Sequence, residues 1–482
     1  VFDMQLASSG WLSIRRTAMS LTVLALAGCA TFSSDGGFGS VEQTARDRLG
    51  KDVVWPKTEA EQQTVAERVN ELAAKPLSVD DAVQIALLNN RGLQASYFDL
   101  GISESNLVQA GRLPNPHFSM TRTSLVEQGV RHYTVEQALT INVFALLTMP
   151  QALKVERRRF EQSQRAVALD VLRIASDTRK AYYSALAAEE TVRYSRQVNE
   201  TAQVGADLAR RMREVGNFTK LQQAREQGFY ADAVLNLARA DRSRVAARER
   251  LTRLLGLSGD QIQFTLPERL PDLPKAPNEL PDVEQTALAQ RIDLQMIRLE
   301  TEALASNLGL TRATRFINVF EAGFAREREG PRGAPWAKGY EISFEIPLFD
   351  FGTSRVRRAE AIYMQAVNRA AEAAINARSE VREAYLGYRT NYDIARHYRE
   401  EIVPLRQRIA DENLLRYNGM LIGVFELLAD ARSQIASVNA SIEALRDFWI
   451  AQADLDMAMI GRPNMMAGPS AGAMSPEAGP AH

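Results

Sequence analysis

One cysteine, Cys29, serves all 482 residues. A single thiol excludes any internal disulfide, whatever the compartment. Four histidines, His117, His132, His397 and His482, are scattered, with no spacing that would set two on one metal ion. There is no nucleophile elbow, no phosphate-binding P-loop, no His-Glu-x-x-His and no paired Cys-x-x-Cys, so neither enzyme chemistry nor a cofactor is signalled. Aromatic residues make up only 7% and the net charge is −1. With no excess of either sign, no bulk field points to nucleic acid. After the N-terminal region no stretch approaches the roughly 20 apolar residues of a membrane-spanning helix, which excludes a helical membrane protein but not a β-barrel. What the chain does have is alanine and charge, with 24% of residues charged and few turn formers. That composition predicts long, closely packed helices.

The lone cysteine stands behind a patterned leader. Arg15 and Arg16 form a basic step, a short apolar run covers Ala18 to Ala27, and Gly28 precedes Cys29. This is the pattern of a secretory signal, too short to cross a bilayer. Met4 suits a start, with residues 1–3 an upstream extension. Leu26-Ala27-Gly28-Cys29 resembles the lipobox of bacterial lipoproteins. The resemblance implies cleavage before Cys29, lipidation of its thiol and acylation of the new amino end. Ala30, where an Asp would favour inner-membrane retention, implies the outer membrane. The alternative is a buried structural cysteine beside a chance apolar run.

An internal repeat organises the rest of the chain. Arg179-Lys180-Ala181-Tyr182-Tyr183 answers to Arg382-Glu383-Ala384-Tyr385-Leu386, 203 positions on. Val215-Gly216-Asn217 and Asn418-Gly419-Met420 align at the same offset, and Leu93-Gln94 with Leu294-Gln295 at 201. So long a period means two copies of a large unit. Spaced prolines from Pro267 to Pro281 predict an extended strap between the copies, and the Gly, Pro, Ala, Ser and Met after Gly461 predict a disordered tail. The division is a signal peptide at 1–28, a lipidated segment at 29–76, repeats at 77–257 and 282–461, the linker at 258–281 and the tail at 462–482.

Each repeat predicts one helix, two strands, a very long helix, a break and another long helix. In the first these fall near 78–111, 116–124, 133–145, 151–214 and 218–256. In the second they fall near 282–313, 317–326, 339–349, 353–417 and 421–460. Val367, Ala374, Val381, Tyr388, Ala395, Ile402 and Ile409 form a heptad seam. The first-repeat series, Val167, Ile174, Ala181, Ala188, Ser195, Ala202 and Ala209, is less apolar. A helix of about 64 residues spans on the order of 100 Å, a column rather than a globule. Pro404 should bend the second such helix.

Tyr133, Val135, Leu139, Ile141 and Val143 alternate with Thr134, Glu136, Thr140 and Asn142. Tyr340, Ile342, Phe344, Ile346 and Leu348 alternate with Glu341, Ser343, Glu345 and Pro347. Such strands have one wet and one apolar face, whether in a half-buried soluble sheet or in a barrel wall. Trp336, in the polar loop Glu327 to Gly339, and Tyr340 would suit a membrane interface. Four strands cannot close a barrel in lipid, where an open edge leaves backbone groups unpaired. Two chains would give a filled eight-stranded barrel; three would give twelve strands and a water-filled lumen, the preferred reading.

A lipobox, two repeats of helix, hairpin and long helices, and glycine-marked tips together resemble the TolC-type outer membrane efflux proteins, from about Leu77 to Pro463. The resemblance implies a mainly α fold with a small transmembrane β part: a homotrimer whose 12-stranded β-barrel, set in outer membrane lipid, continues into an α-helical barrel. It implies an exit duct of a tripartite efflux system, joined through a periplasmic adaptor, or membrane fusion protein, to an inner-membrane efflux pump. It further implies that the tips, through Val215, Gly216, Thr219, Gly419 and Met420, receive adaptor hairpins. The plainer reading is that these residues only turn the chain. Glu426 and Asp430, four apart on one helix face, would form carboxylate rings at a gate. The family often carries two acids three apart here, whereas this chain has Ala429 in the second place, so a solvated helix face is the alternative.

Met457, Met459, Met465, Met466 and Met474 would suit a soft cation such as Cu(I), or core filling. The rival for the whole chain is an outer-membrane-tethered periplasmic coiled-coil lipoprotein with a structural or adaptor role. That rival has no need of alternating strands at matching places in two repeats.

Overall fold

A computed structural model describes residues 31–463, apart from 128, 317–318 and 331–332. The expected signal peptide, Cys29, and Met465, Met466, Met474 and His482 of the expected tail lie outside the described residues. In chain order the elements are α1 (Gly39–Leu49), α2 (Glu59–Ala73), α3 (Val79–Asn89), α4 (Arg91–Ala110), β1 (His117–Glu127), β2 (Val130–Asn142), α5 (Val143–Glu214) and α6 (Lys220–Leu255). There follow α7 (Val283–Gln290), α8 (Ile292–Ala313), β3 (Phe320–Gly330), β4 (Ala337–Phe344), α9 (Thr353–His397), a π-helical turn (Tyr398–Ile402), α10 (Val403–Asn418) and α11 (Val424–Ala458). Among the described residues no helix is long and apolar enough to cross a membrane. The described chain folds as two compact units, the first formed by residues 31–41, 96–167 and 294–373, the second by 42–95, 168–293 and 374–463.

The first unit holds the sheet, antiparallel throughout in the order β1-β2-β3-β4. The two hairpins pair with each other through β2 and β3, with Leu139 opposite Phe324. Strand passes to helix without a loop at Asn142, whose Oδ1 accepts the Ala145 N–H at 2.7 Å and caps α5. The helix therefore starts eight residues before its expected position, and Pro150 lies inside it. At 72 residues, α5 has a contour of about 110 Å. In the second repeat a loop separates β4 from α9. Gly352 closes it at φ 73°, its N–H bonded to Asp350 Oδ1 at 2.8 Å and its backbone pressed against the Arg315 carbonyl. The segment before α1 is fixed in this unit as well. Ser33 N–H donates to Glu104 Oε1 at 2.6 Å, Gln164 Nε2 donates to the Gly37 carbonyl at 2.9 Å, and Phe38 meets Tyr97 edge-on at 4.9 Å.

The second unit is helical, and among its described residues two core clusters meet at Leu445 and Trp449. The first gathers Leu77, Ile85, Tyr182, Leu186, Leu251 and Leu255. The second gathers Val381, Tyr388, Tyr392, Phe448 and Leu455. The expected seam of the second repeat is buried only at its centre, at Val381, Tyr388 and Ala395. The less apolar series is buried further along, at Val167, Ala181, Ser195, Ala202 and Ala209. Small side chains let a neighbouring helix cover them. The proline strap is held through its carbonyls: Pro271 accepts from Trp449 Nε1 at 3.1 Å, Leu273 from Arg399 at 3.0 Å, and Lys275 from the Tyr392 hydroxyl at 2.9 Å.

The single helices expected over 78–111 and 282–313 are each broken once, at Asn90 and at Arg291. Each break closes the end of its repeat's last helix, whose final carbonyls lack intrahelical partners. Asn90 Nδ2 donates to the Leu254 carbonyl at 2.9 Å, and Asn89 Nδ2 to that of Gly256 at 2.8 Å. Arg291, buried, donates to the Ala458 carbonyl at 3.4 Å while paired with Asp293 at 2.7 Å and Glu380 at 2.8 Å. Lys180, also buried, bridges Asp177 at 3.1 Å and Asp454 at 3.0 Å.

Gly256 caps α6 at φ 67°, and a Cβ there would stand 2.5 Å from the Asn89 carbonyl oxygen. Gly256→Ala combines the left-handed penalty, about 1–2 kcal/mol, with that overlap. We expect a lower thermal midpoint by far-ultraviolet circular dichroism; an unchanged midpoint would show that the Asn89 turn yields freely. Burial pushes the carboxyls of Asp454 and Asp456 above the ordinary 3.8, partly offset by Lys180 and Arg179 respectively. The folded state thus holds these protons more tightly than the unfolded one, so this contribution to stability is lost as pH rises from 3.8 through the raised values. Asp456→Asn should flatten that decline in denaturant titrations run at successive pH values.

Candidate functional site: helical tips and an amphipathic sheet

The two tips close by the same hydrogen-bond pattern. At the first, Asn217 N–H reaches back to the Met212 carbonyl at 2.8 Å and Gly216 N–H to that of Arg213 at 3.1 Å, with Gly216 left-handed at φ 83°. At the second, Leu421 N–H reaches Arg416 at 2.9 Å and Met420 N–H reaches Tyr417 at 3.0 Å. Both are Schellman closures. The left-handed residue of the second is Met420, at φ 59°, not Gly419, which sits at φ −80°. Gly419 therefore does not do the turning expected of it.

The reason is a one-residue slip between the repeats. Helix ends Glu214 and Asn418, helix starts Lys220 and Val424, and left-handed residues Gly216 and Met420 are all 204 apart, whereas Tyr182 and Tyr385 are 203 apart. The extra residue enters at the π-helical turn Tyr398–Ile402, where Val403 N–H bonds to the Tyr398 carbonyl five residues back. Pro404, lacking an N–H, leaves the Glu400 carbonyl without its usual helical partner and favours the wider turn. The proline thus coincides with a π-turn in the helix. The return helices end back at the shorter offset, at Leu255 and Ala458.

Around these turns the expected contact residues have different surroundings. Val215 is exposed, and Met420 is 94% exposed, with Leu421 beside it. Thr219 caps α6: its Oγ1 accepts from Gln222 N–H at 3.3 Å while Gln222 Oε1 accepts from Thr219 N–H at 2.7 Å. Glu426 is exposed and, among the described residues, forms no ion pair. Asp430 is half-buried and bonded by Asn413 Nδ2. The two acids expected to act together therefore differ, one exposed and one tied. A further pair lies nearby: Arg432 meets the buried Glu226 at 3.1 Å and covers the Phe229 ring at 4.4 Å. Glu226 and Asp430 are 204 apart, so each hairpin has a bridged carboxylate at the same place, a match that the 203 alignment hides.

The sheet faces are sharply unlike. One carries an apolar row across all four strands, Phe118–Leu139–Phe324–Tyr340, with Phe324 78% and Tyr340 80% exposed. Ile141–Ala322–Ile342 and Phe320–Phe344 continue it toward the helix end. The opposite face carries His117, Ser119, Thr121, Thr134, Glu136, Glu321, Glu327, Glu329, Glu341 and Ser343. Among the described residues β1 and β4 each pair on one side only. The expected alternation is thus observed, with Val143, Ile346 and Leu348 lying beyond the strand ends. Met457 is buried as core filler rather than placed as a ligand, and among the described residues no group of acidic, His or Cys side chains is set to hold a metal ion.

Met420→Gly should stabilise the second tip by about 1 kcal/mol, since it relieves a left-handed side chain. Amide exchange at Leu421 should slow accordingly; no change would mean that the turn carries no strain.

The sequence pattern of the family described as "Outer membrane efflux protein" matches residues 82–257 and 283–459, most of the chain. The cobalt-zinc-cadmium resistance protein CzcC of Cupriavidus metallidurans is 26% identical over 282 residues, 58% of this chain and 65% of that relative's own length. A membrane protein from Pseudomonas aeruginosa has the same fold at TM-score 0.67 and 20% identity, over 79% of this chain and 93% of that one. The open-state outer membrane channel MtrE of Neisseria gonorrhoeae follows at TM-score 0.66 and 18% identity, over 80% and 91%. With that pattern matched once in each repeat, the chain belongs to the outer membrane efflux protein family.

Proposed function

We propose that the chain is the passive exit duct of a tripartite efflux system in the outer membrane of a Gram-negative bacterium, and that it works as a homotrimer. The carrying observation is a four-stranded sheet with one exposed apolar face and two unpaired edges. In lipid such edges must pair, and three copies make a twelve-stranded barrel wide enough for water. The polar, acid-rich face would then line the bore and favour cationic cargo. The name of CzcC, which concerns cobalt, zinc and cadmium, agrees with that choice. Lipidation at Cys29 would anchor the wall: Ser33 is fixed on Glu104, and four residues reach about 13 Å, enough to approach the helix–strand junction.

The tips would receive a periplasmic adaptor that joins the duct to an inner-membrane pump. Support comes from exposed Val215 and Met420, the latter placing an apolar side chain at a left-handed position that glycine would fill at less cost. Gly216, Thr219 and Gly419 would shape the turns beneath them. Glu426, exposed, would face the aperture, with Asp430 holding the hairpin beside it.

Purified from detergent, the protein should run as a heat-modifiable trimer and open pores in planar bilayers with a preference for cations. Glu426→Gln should weaken that preference. Met420→Gly should weaken adaptor binding several-fold without loss of folding. A monomer that forms no pores would overturn the duct and favour a tethered structural lipoprotein.

A further inference from the structure

The apolar face of the sheet changes chemistry part-way along the strands. Beyond the Phe118–Leu139–Phe324–Tyr340 row, the next row is Met120–Gln137–Arg326–Lys338 and the one after it Arg122–Val135–Arg328. Arg131, opposite Val126, lies further toward the hairpin turns. Rows on one face are about 7 Å apart, so Arg122, Arg326, Arg328 and Lys338 share a compact band directly above the apolar rows. Among the described residues none of these four forms an ion pair. Instead the arginines rest on aromatic faces: Arg326 and Arg328 lie 4.7 and 5.0 Å from the Trp336 ring centre, and Arg122 lies 4.8 Å from that of Tyr133. Stacking fixes a guanidinium and leaves its N–H edge free to donate. Arg326 spends one donor on Gln137 Oε1, at 2.8 Å.

The acids at this level are all on the other face. Glu136 is paired directly with Glu327, and Glu329 is two residues further along. The sheet thus keeps neighbouring opposite charges apart instead of letting them neutralise each other. A surface that only had to be wet would gain nothing from that separation. A surface at the headgroup level of a bilayer would: acyl chains meet the apolar rows, aromatic rings mark the interface, and phosphates meet the cations.

We propose that this band binds the phosphates of a multiply phosphorylated lipid in the leaflet on the hairpin side. The proposal rests on the barrel reading, which puts the hairpin turns outside and makes that leaflet the outer one. Arg122, Arg326, Arg328 and Lys338 are the binding residues. Two adjacent rows of cations fit two phosphates better than one.

The test uses full-length protein reconstituted in phosphatidylcholine vesicles with or without diphosphoryl lipid A. The wild type should retain lipid A through detergent extraction, less so as salt rises, and should dissociate at a higher temperature with it than without. Each charge removed should lower retention roughly fivefold. The Arg122→Gln/Arg326→Gln/Arg328→Gln/Lys338→Gln variant should therefore retain almost none, while Glu136→Gln should behave as wild type. Equal retention by the fourfold variant, equal retention of dephosphorylated lipid, or displacement by inorganic phosphate at matched concentration would overturn the proposal. If the fourfold variant does not insert, the wild type decides: retention indifferent to salt and phosphate overturns it, and retention that needs both phosphate and low salt supports it. Conductance through the same vesicles separates the two readings. Pores from protein that retains no lipid A reject the binding band and leave the duct standing; no pores reject both.

Discussion

Two unpaired strand edges govern this molecule. Among the described residues β1 and β4 each leave one side of the backbone without partners, and the sheet between them exposes Phe118, Phe324, Tyr340 and Ile342. Neither solvent accepts both features. Water accepts open edges but disfavours so much contiguous apolar surface; hydrocarbon accepts the apolar surface but not the edges. Only further strands answer both demands at once. The β2–β3 pairing already applies this logic within the chain, where it fuses the two repeats into one sheet.

The helical unit solves a different problem. Long Ala-rich helices bury little apolar area per residue, so their ends and their buried charges matter more than usual. The breaks at Asn90 and Arg291 meet orphan carbonyls at the ends of α6 and α11. Lys180, Arg291 and Glu226 are each buried against opposite charge. Such pairs contribute little net stability against an apolar replacement, but breaking one leaves an uncompensated charge, so they favour one helix register over its neighbours.

Much of this was legible in the sequence, because it rests on period and composition. Alternation gave the faces of β2 and β4, and heptads with an alanine-rich composition gave the helices. What escaped depended on single residues acting at a distance. Asn142 looks like one more polar strand position until its side chain caps α5. Gly216 and Gly419 align so naturally that the slip to Met420 is hidden, since a π-turn nearly 20 residues upstream leaves no mark in hydrophobic pattern beyond Pro404. Arg432 and Glu226 come from different repeats, so neither repeat predicts the other's partner.

The inserted residue in the second repeat has a geometric consequence. A wide turn absorbs one residue locally, so helix faces before and after it keep nearly the same direction. A ring built from three such chains would stand on six posts of two kinds, alternately plain and notched. A notched post has a weaker ladder of backbone bonds at one height and yields there first. Any narrowing or widening of such a ring would therefore follow a threefold rhythm rather than the sixfold one that the duplicated sequence suggests.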